Sequence, residues 1–225
     1  MAEVNRDVRV EEKERFVQVS TSDKKSYLFA KRVIDISFSL IALIVLSPFF
    51  LLISLLIKIE DPKGPVFFSQ SRAGKNNKEF KMYKFRSMVS NAEELKEKLM
   101  DQNEAEGPVF KIKEDPRVTK VGKFIRRTSI DELPQLINIL NGNMSLVGPR
   151  PPLPQEVAQY NSYEMQRLKV VPGLTCYWQV SGRSNLSFEE WVNLDIKYIC
   201  NRNLFLDLKL ILKTVKVLFG SKGAY

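Results

Sequence analysis

A long apolar run limits the folds open to this chain more than any other feature of its sequence. Between Val33 and Ile57 the only ionisable residue is Asp35. At ~1.5 Å per helical residue, such a run is long enough to cross the ~30 Å hydrocarbon core of a bilayer. A single membrane-spanning helix is therefore the default prediction. The interruption within the run and the charges on either side of it test this prediction.

Ser47 and Pro48 interrupt the run, and neither remaining piece would span a bilayer alone. Because basic flanks favour the cytoplasm, a run with basic residues on both sides should enter and leave the membrane by the same face. A helix broken at Ser47 and Pro48, in which the serine hydroxyl bonds a backbone group released by the proline, forms a re-entrant hairpin that meets both demands. The flanking residues are Lys24, Lys25, Lys31 and Arg32 before the run and Lys58, Lys63, Arg72, Lys75 and Lys78 after it.

The hairpin competes with three other interpretations. A straight membrane span stays open on composition alone. A signal peptide is disfavoured, because many acids precede the run and no small-residue cleavage pattern follows it, and a buried core helix suits shorter runs. The hairpin prediction divides the chain into a flexible leader (1–30), a re-entrant membrane hairpin (31–60) and a domain at the membrane surface (61–225).

Composition narrows the chemistry of that domain. The formal charge of +9 and the pI of about 9.5 indicate an anionic partner, which could be nucleic acid, a phospholipid surface or a phosphorylated small molecule. The absence of histidine excludes histidine bases, nucleophiles activated by histidine and histidine metal sites. Cys176 and Cys200 lack CxxC spacing and are typical of reduced thiols in a cytosol-facing domain.

Short strands and helices are predicted beyond residue 61. Residues 65–70 and 79–86 flank a polar turn and predict a β-hairpin, with Lys84 and Arg86 on one face. The last helix combines a lysine side with an apolar side, which suits an interfacial helix and a core helix equally. The expected fold class is α+β: a mostly helical membrane-surface domain with a re-entrant helix hairpin and a small β-hairpin. The predicted helices lie at 91–101, 120–127, 154–168, from 187 onward and 206–219.

Two adjacent acids mark the candidate site. Asp131 and Glu132 follow Ser129 in the Ser-x-x-Glu spacing of a capping box, which predicts a helix start where the acids are exposed and ionised. A helix tolerates proline only in its first turn. Because of Pro134, the helix either loses a backbone hydrogen bond or starts later, which leaves the acids on a sharp entry, a tight turn that leads into the helix. Acids that merely begin a helix are the simpler interpretation.

Basic residues surround the acid pair along the sequence. Carboxylates accompanied by arginines suit phosphate chemistry, because arginines neutralise phosphoryl oxygens while a carboxylate holds Mg²⁺ or attacks phosphorus. A solvated basic strand face is the alternative for Lys84 and Arg86. If the hairpin holds this site at a bilayer, one reactant should be a lipid. Arg126 and Arg127 precede the pair and Arg150 follows it. The candidate binding residues are Lys84, Arg86, Arg126, Arg150, Gln179 and Arg183.

Four ordered motifs resemble the monotopic bacterial phosphoglycosyl transferases: KMYKFRSM at 81–88, DELPQL from Asp131, NGNMSLVGPRP at 141–151 and PGLTCYWQVSGRS at 172–184. The resemblance runs from about residue 31 to 219. It implies that residues 61–225 are a catalytic domain that transfers a sugar 1-phosphate from a UDP-sugar to undecaprenyl (polyprenyl) phosphate, releasing UMP, with Mg²⁺. It also implies the cytoplasmic face of the bacterial inner membrane, and a first step of exopolysaccharide, lipopolysaccharide O-antigen or protein-glycan assembly.

The resemblance also assigns roles to individual residues. Asp131 corresponds to the nucleophile that forms a covalent phosphosugar intermediate, and it is the predicted metal ligand. Glu132 corresponds to a residue that assists proton transfer or positioning, and Lys84, Arg126 and Arg150 are expected to bind phosphates. Cys176 stands where many members have glycine, and the chain resembles the minimal catalytic form because it lacks the multi-span N-terminal domain of larger members.

Two other functions remain open at this stage. A non-enzymatic membrane-surface adaptor would use the hairpin and basic face to bind acidic lipid or nucleic acid. A transferase with direct lipid attack would use Asp131 only as a metal ligand. The phosphoglycosyl transferase interpretation expects a UDP-sugar, undecaprenyl phosphate and the bilayer as partners and no nucleic acid, and it leaves open the sugar and whether the chain forms a homo-oligomer.

Overall fold

The computed structural model describes residues 24–103, 112, 114–181 and 186–220. Its helices are α1 (Lys25–Val45), α2 (Ser47–Glu60), α3 (Ala92–Lys98), α4 (Lys120–Arg127), α5 (Gln135–Leu140), α6 (Pro154–Val157), α7 (Tyr177–Val180), α8 (Phe188–Asn201) and α9 (Leu204–Gly220). The strands are β1 (Phe67–Ala73), β2 (Glu79–Phe85), β3 (Ser145–Val147) and β4 (Gly173–Thr175). Short 3₁₀ turns occupy Lys75–Asn77, Met100–Gln102, Ile130–Glu132 and Glu164–Lys169. The predicted α+β class, mostly helical with a small β-hairpin, is confirmed, whereas residues 1–23 of the predicted leader lie outside the described ranges.

The apolar run breaks at the predicted serine and proline. Pro48 has no N–H for the carbonyl of Ile44, the residue four positions earlier, and the Ser47 hydroxyl donates to that carbonyl at 2.8 Å instead. The axes of α1 and α2 consequently differ by 61°. Within the described ranges no single helix is long and apolar enough to cross a membrane, although the bent pair passes that test on length and composition together.

Both ends of the helix pair are attached to the rest of the domain. Near the start of α1, the Arg32 guanidinium donates to the carbonyls of Ile139 and Leu140 at the end of α5. At the end of α2, the Glu60 carboxylate accepts the backbone N–H groups of Lys120 and Val121 and so caps α4. Both ends of the helix pair therefore contact the same domain.

The lone charge in the apolar run serves a structural contact. Asp35 is buried and accepts hydrogen bonds from the Ser145 hydroxyl at 3.1 Å and the Leu146 N–H at 2.9 Å, which fixes α1 against β3. Ile53 and Ile57 of α2 are also buried, in a cluster with Phe85 and Ile125. The outer faces of the pair expose large apolar side chains: Phe29, Val33, Ile41, Ile44, Val45, Leu51, Leu52, Leu55 and Ile59.

Two small sheets support the domain. Strands β1 and β2 form the predicted antiparallel hairpin, in a register that pairs Phe67 with Phe85 and Ala73 with Glu79. Strands β3 and β4 pair in parallel, which the sequence analysis did not predict. Gly173 permits this pairing, because a side chain there would overlap the backbone of Gly148.

The helix predictions beyond the apolar run have mixed outcomes. The predicted 120–127 helix and the Ser187–Glu190 capping box are confirmed. The single helix predicted at 154–168 is wrong, since α6 ends at Val157 and only a 3₁₀ turn follows at Glu164–Lys169. In α9, Leu210 is buried while the apolar side chains of Phe205, Leu208, Leu212 and Val215 are exposed, so one face joins the core and another does not.

Candidate active site

The acid pair lies on the 3₁₀ turn Ile130–Glu132 rather than in a helix. Ser129 adopts a left-handed conformation with φ 57° and makes no side-chain cap, so the capping box predicted there is wrong. The helix begins only at Gln135, directly after Pro134, because proline cannot donate a backbone hydrogen bond inside a helix. The alternative of a sharp entry is the one that the structure adopts.

Burial changes the chemistry of the first acid. Asp131 is only 7% exposed, so the prediction of an exposed pair is wrong for this residue; the turn directs its carboxylate inward. Burial, and secondarily the charge of Glu132, raise the pKa of Asp131 to about 6, while the charges of Lys84 and Arg126 oppose this rise. Asp131 is therefore mostly ionised at neutral pH, as predicted, but more basic than an ordinary aspartate.

Lys84 connects strand β2 to both acids. Its Nζ atom lies 2.7 Å from Glu132 Oε1 and 3.7 Å from Asp131 Oδ2. The short bond to Glu132 fixes the ammonium group, and the longer distance to Asp131 adds an attraction that favours the ionised form of that carboxylate. Residues that are far apart in sequence thus form one charged cluster.

This cluster opens into a cleft of about 520 Å³. The cleft brings together most of the site residues predicted from sequence: Lys84, Arg86, Arg126, Asp131, Glu132, Arg150 and Gln179. Arg183 lies outside the described residues, and Arg127 is not among the residues that line the cleft. Arginines and a lysine surrounding two carboxylates make the cleft suitable for a phosphorylated ligand.

The predicted arginines differ in how they are held. Arg126 Nε donates to the Ser87 hydroxyl at 2.8 Å. Arg86 is buried and bonds the Asp61 carboxylate at 2.8 Å, so its charge is already balanced within the wall of the cleft. A phosphate-binding role for Arg86 stays a prediction and would require this ion pair to loosen.

Arg150 is held by aromatic rings instead of a carboxylate. Its guanidinium lies 5.5 Å from the ring centroid of Trp178 and 5.9 Å from that of Trp191, and the two rings stack with centroids 5.0 Å apart. Cation–π contact orients the guanidinium without consuming its hydrogen-bond donors. Gln179, on the same short helix as Trp178, also lines the cleft.

Arg72 was not among the site residues predicted from the sequence. Arg72 is buried and lines the cleft, where its Nη2 donates to Gln70 Oε1 at 2.8 Å and its Nη1 to the Pro151 carbonyl at 3.1 Å. A signal was present, because residues that pair directly across two antiparallel strands share a face. The register places Arg72 opposite Phe80 and Gln70 opposite Met82, on the face that carries Lys84.

The two acids can contribute to a Mg²⁺ site but cannot complete one. Carboxylate oxygens are the ligands that Mg²⁺ prefers, and in phosphate-transfer sites one or two carboxylates share the ion with substrate phosphates and water. Asp131 and Glu132 fit that arrangement. No cluster of three or more His, Cys, Asp or Glu residues able to hold a metal occurs in the part of the chain that the structure describes.

Comparison with known proteins identifies the class to which this fold and cleft belong. The family model described as bacterial sugar transferase matches residues 26–221, so the chain belongs to the bacterial sugar transferase family.

Individual relatives support the same assignment. The galactosyl transferase CpsE of Streptococcus agalactiae serotype III (strain NEM316) is 48% identical over 202 residues, which cover 89% of this chain and 44% of that protein. The undecaprenyl-phosphate galactose phosphotransferase of Salmonella typhimurium (strain LT2) is 43% identical, with 90% and 43% covered. The exopolysaccharide production protein ExoY of Rhizobium meliloti (strain 1021) is 42% identical, with 87% and 88% covered. The chain thus spans less than half the length of the first two relatives and most of the third.

Proposed function

We propose that this chain transfers a sugar 1-phosphate from a UDP-sugar to undecaprenyl phosphate and releases UMP. The observation that carries the proposal is a buried, basic carboxylate, Asp131, beside Glu132 and Lys84 in a cleft lined by arginines. The family supports a sugar transferase, and the Salmonella relative's name specifies undecaprenyl phosphate and a sugar phosphate.

The proposed reaction is a double displacement at the phosphorus next to the sugar. An Asp131 carboxylate oxygen bonds that phosphorus while the bond to the UMP oxygen breaks. A phosphate oxygen of undecaprenyl phosphate then bonds the same phosphorus, and the bond to Asp131 breaks. The raised pKa of Asp131 supports its role, because a more basic carboxylate is a better nucleophile and is still mostly ionised at neutral pH.

The neighbouring residues supply positioning and charge. Glu132 holds the Lys84 ammonium group 2.7 Å away, next to the carboxylate that reacts. Lys84 and Arg126 offset the charge of the diphosphate, which is the main requirement of phosphoryl transfer. Mg²⁺, when bound through Asp131 and substrate phosphates, would supply further charge neutralisation.

We place this reaction at the cytoplasmic face of the bacterial inner membrane, with the bent helix pair inserted as a re-entrant hairpin. Support comes from the apolar outer faces of α1 and α2 and from the attachment of both hairpin ends to one domain. The exposed apolar side chains of α9 would lie in the same interface.

The topology has a direct test. Tags placed at Met1 and at Tyr225 should both be protease-accessible only from the cytoplasmic side of sealed vesicles. One tag accessible from the outside would instead establish a straight membrane span.

Covalent labelling tests the chemistry. The protein is incubated with UDP-sugars labelled in the sugar phosphate, one sugar at a time, without a lipid acceptor. We expect label on the protein and an equal amount of UMP from the correct sugar, and no label on Asp131→Asn. The matched control is Asp101→Asn, which neutralises an exposed acid outside the cleft.

The other outcomes separate the competing functions. Turnover with undecaprenyl phosphate but no covalent label would establish direct attack by the lipid, with Asp131 as a metal ligand only. Membrane binding without UMP release from any sugar would support an adaptor.

A further inference from the structure

One cationic group in the cleft wall has no balancing acid within the described part of the chain. Arg72 is 6% exposed, yet its guanidinium bonds only neutral oxygens, those of Gln70 and Pro151, and its Nε atom has no partner there. Glu132 and Glu156 attract it only at longer range. A buried charge in such a setting is costly, and natural proteins usually pair it.

A second guanidinium lies beside the first. Arg150 precedes Pro151, the residue whose carbonyl Arg72 binds, and both arginines line the same cleft. Arg150 rests on Trp178 and Trp191 and has no ion pair with any described residue. Burial, and then the nearby charge of Arg150, lower the pKa of Arg72 to about 10.

An anion with several oxygens would relieve both cations at once. A phosphate monoester provides a double negative charge and three acceptor oxygens, which match the planar forks of two arginines. Lys84 lines the same cleft but differs, because it is already bonded to Glu132. The cleft therefore contains at least one cation that an acid balances and two, Arg72 and Arg150, that have no ion pair with a described residue.

We propose that Arg72 and Arg150 form a single phosphomonoester subsite, which holds the phosphate of UMP as it leaves and then the headgroup of undecaprenyl phosphate as it arrives. This inference rests on the proposed double displacement. In that reaction the second attack must come from the side of the phosphorus opposite Asp131, which is the position that UMP has just left. Leaving and entering groups are both phosphomonoesters, so one pair of arginines can serve both.

The supports of each arginine suit this role. Arg72 is fixed by Gln70 from its own strand and by the backbone of Pro151, so it also holds the segment that carries Arg150. Trp178 packs against the Arg150 guanidinium through a cation–π contact, which does not use its N–H donors. A fixed pair binds phosphate with little loss of side-chain entropy.

Equilibrium binding to the protein in lipid nanodiscs tests the subsite without turnover. Asp131→Asn is the background, and the probes are UMP and uridine, which differ by the phosphate alone. We expect Arg72→Gln to weaken UMP binding roughly 10- to 100-fold and to leave uridine binding unchanged, since a charge-assisted hydrogen-bonded pair is lost only for UMP. The matched control is Lys78→Gln, which removes the same charge from an exposed position in the turn of the same hairpin.

A competition arm examines the second ligand. Undecaprenyl phosphate should displace UMP from the protein, and Arg72→Gln should weaken this lipid by a similar factor, whereas undecaprenol should not compete in either protein. An unchanged affinity for the lipid phosphate would overturn the shared subsite.

Two further results distinguish binding from structure. Equal losses for UMP and uridine would overturn the proposal and make Arg72 a support of the fold. Arg72→Lys, which keeps the charge but not the two-pronged geometry, should retain folding and part of the UMP affinity; no difference between Arg72→Lys and Arg72→Gln would contradict a charge-based site. Covalent labelling of the wild type is independent of these measurements, so failure of the double displacement would be recognised separately.

Discussion

Arg72 in the cleft wall and Arg167 behind it are both buried, but only one has a partner of opposite charge. Arg167 is 2% exposed, and its Nε donates to Asp195 Oδ2 at 2.8 Å and its Nη1 to the Tyr160 hydroxyl at 2.8 Å. Its guanidinium also lies 4.7 Å from the centroid of Trp191. Arg72 has similar burial but bonds only a carbonyl and an amide oxygen.

The difference separates a charge that is balanced within the protein from one that we propose to be balanced by a ligand. Arg167 and Asp195 neutralise each other inside the protein. The Arg167 guanidinium packs against Trp191 and so positions this ring. The Trp191 ring in turn contacts Arg150. The Arg167–Asp195 ion pair therefore helps to hold Arg150, a cation that has no ion pair with a described residue. Burial alone therefore does not mark an arginine as a candidate for ligand binding, whereas burial without a counter-ion in a cleft does.

Breaking the Arg167–Asp195 ion pair should give the largest effect on stability. Asp195→Ala leaves Arg167 buried and unpaired, so we expect the free energy of unfolding to fall by about 3–5 kcal/mol. In thermal unfolding, each kcal/mol should lower the melting temperature by about 2–4 °C. The double variant Arg167→Met and Asp195→Leu should recover much of this loss, because it removes both charges together. A loss within 1 kcal/mol for Asp195→Ala, on the order of a surface change, would mean that the pair is not structural.

The acid of the cleft should titrate near neutral pH, because burial raises its pKa well above that of an ordinary aspartate. The pKa of Asp131 near 6 predicts a labelling rate that is constant above that pH and falls about tenfold for each pH unit below it, as the carboxylate protonates. Lys84→Met should move this decline to higher pH, since the charge of Lys84 lowers the pKa of Asp131. Single-turnover labelling from pH 5 to 8 measures both, and a flat profile would contradict the role of Asp131.

The same pKa shift affects stability in the opposite direction. The folded pKa of Asp131 lies above the ordinary aspartate value of 3.8, so folding favours the protonated form. Its contribution to stability is therefore greatest below about pH 4 and is lost as the pH rises through about 6. Asp131→Asn should remove this dependence from the unfolding free energy, while Asp101→Asn should not.

Removing the charge of Arg72 should cost little stability. Arg72→Gln gives up two hydrogen bonds to neutral oxygens but also removes an unpaired buried charge, so we expect a change in unfolding free energy within about 1 kcal/mol. Thermal unfolding of Arg72→Gln and Asp195→Ala under identical conditions compares the two losses. A loss as large as that of Asp195→Ala would erase the distinction between the two arginines.

The last prediction concerns the aromatic support of Arg150. Trp178→Leu removes one ring beneath Arg150, and a cation–π contact of about 0.5–2 kcal/mol predicts a UMP affinity lower by roughly 2- to 30-fold. Trp178→Phe keeps a ring face and should lose less. Equal affinities for these two variants would show that the ring does not orient Arg150.

The sequence determined the features that depend on neighbouring residues. The break at Ser47 and Pro48, the β1–β2 hairpin and helix α4 follow from a missing N–H, a polar turn and a short capped segment, all of which act over a few positions. The motifs also gave most of the residues that line the cleft, because each carries the residue types that phosphate chemistry needs.

Only the tertiary structure decided which of those charges are balanced. The burial of Asp131, the left-handed Ser129, the parallel pairing of β3 with β4 and the unpaired state of Arg72 depend on segments that are distant in sequence. Local patterns carry no information on such contacts, since the cost of burying a charge depends on what surrounds it in space. The chain specifies where its acids and arginines stand, and packing sets their pKa values and their readiness for a ligand.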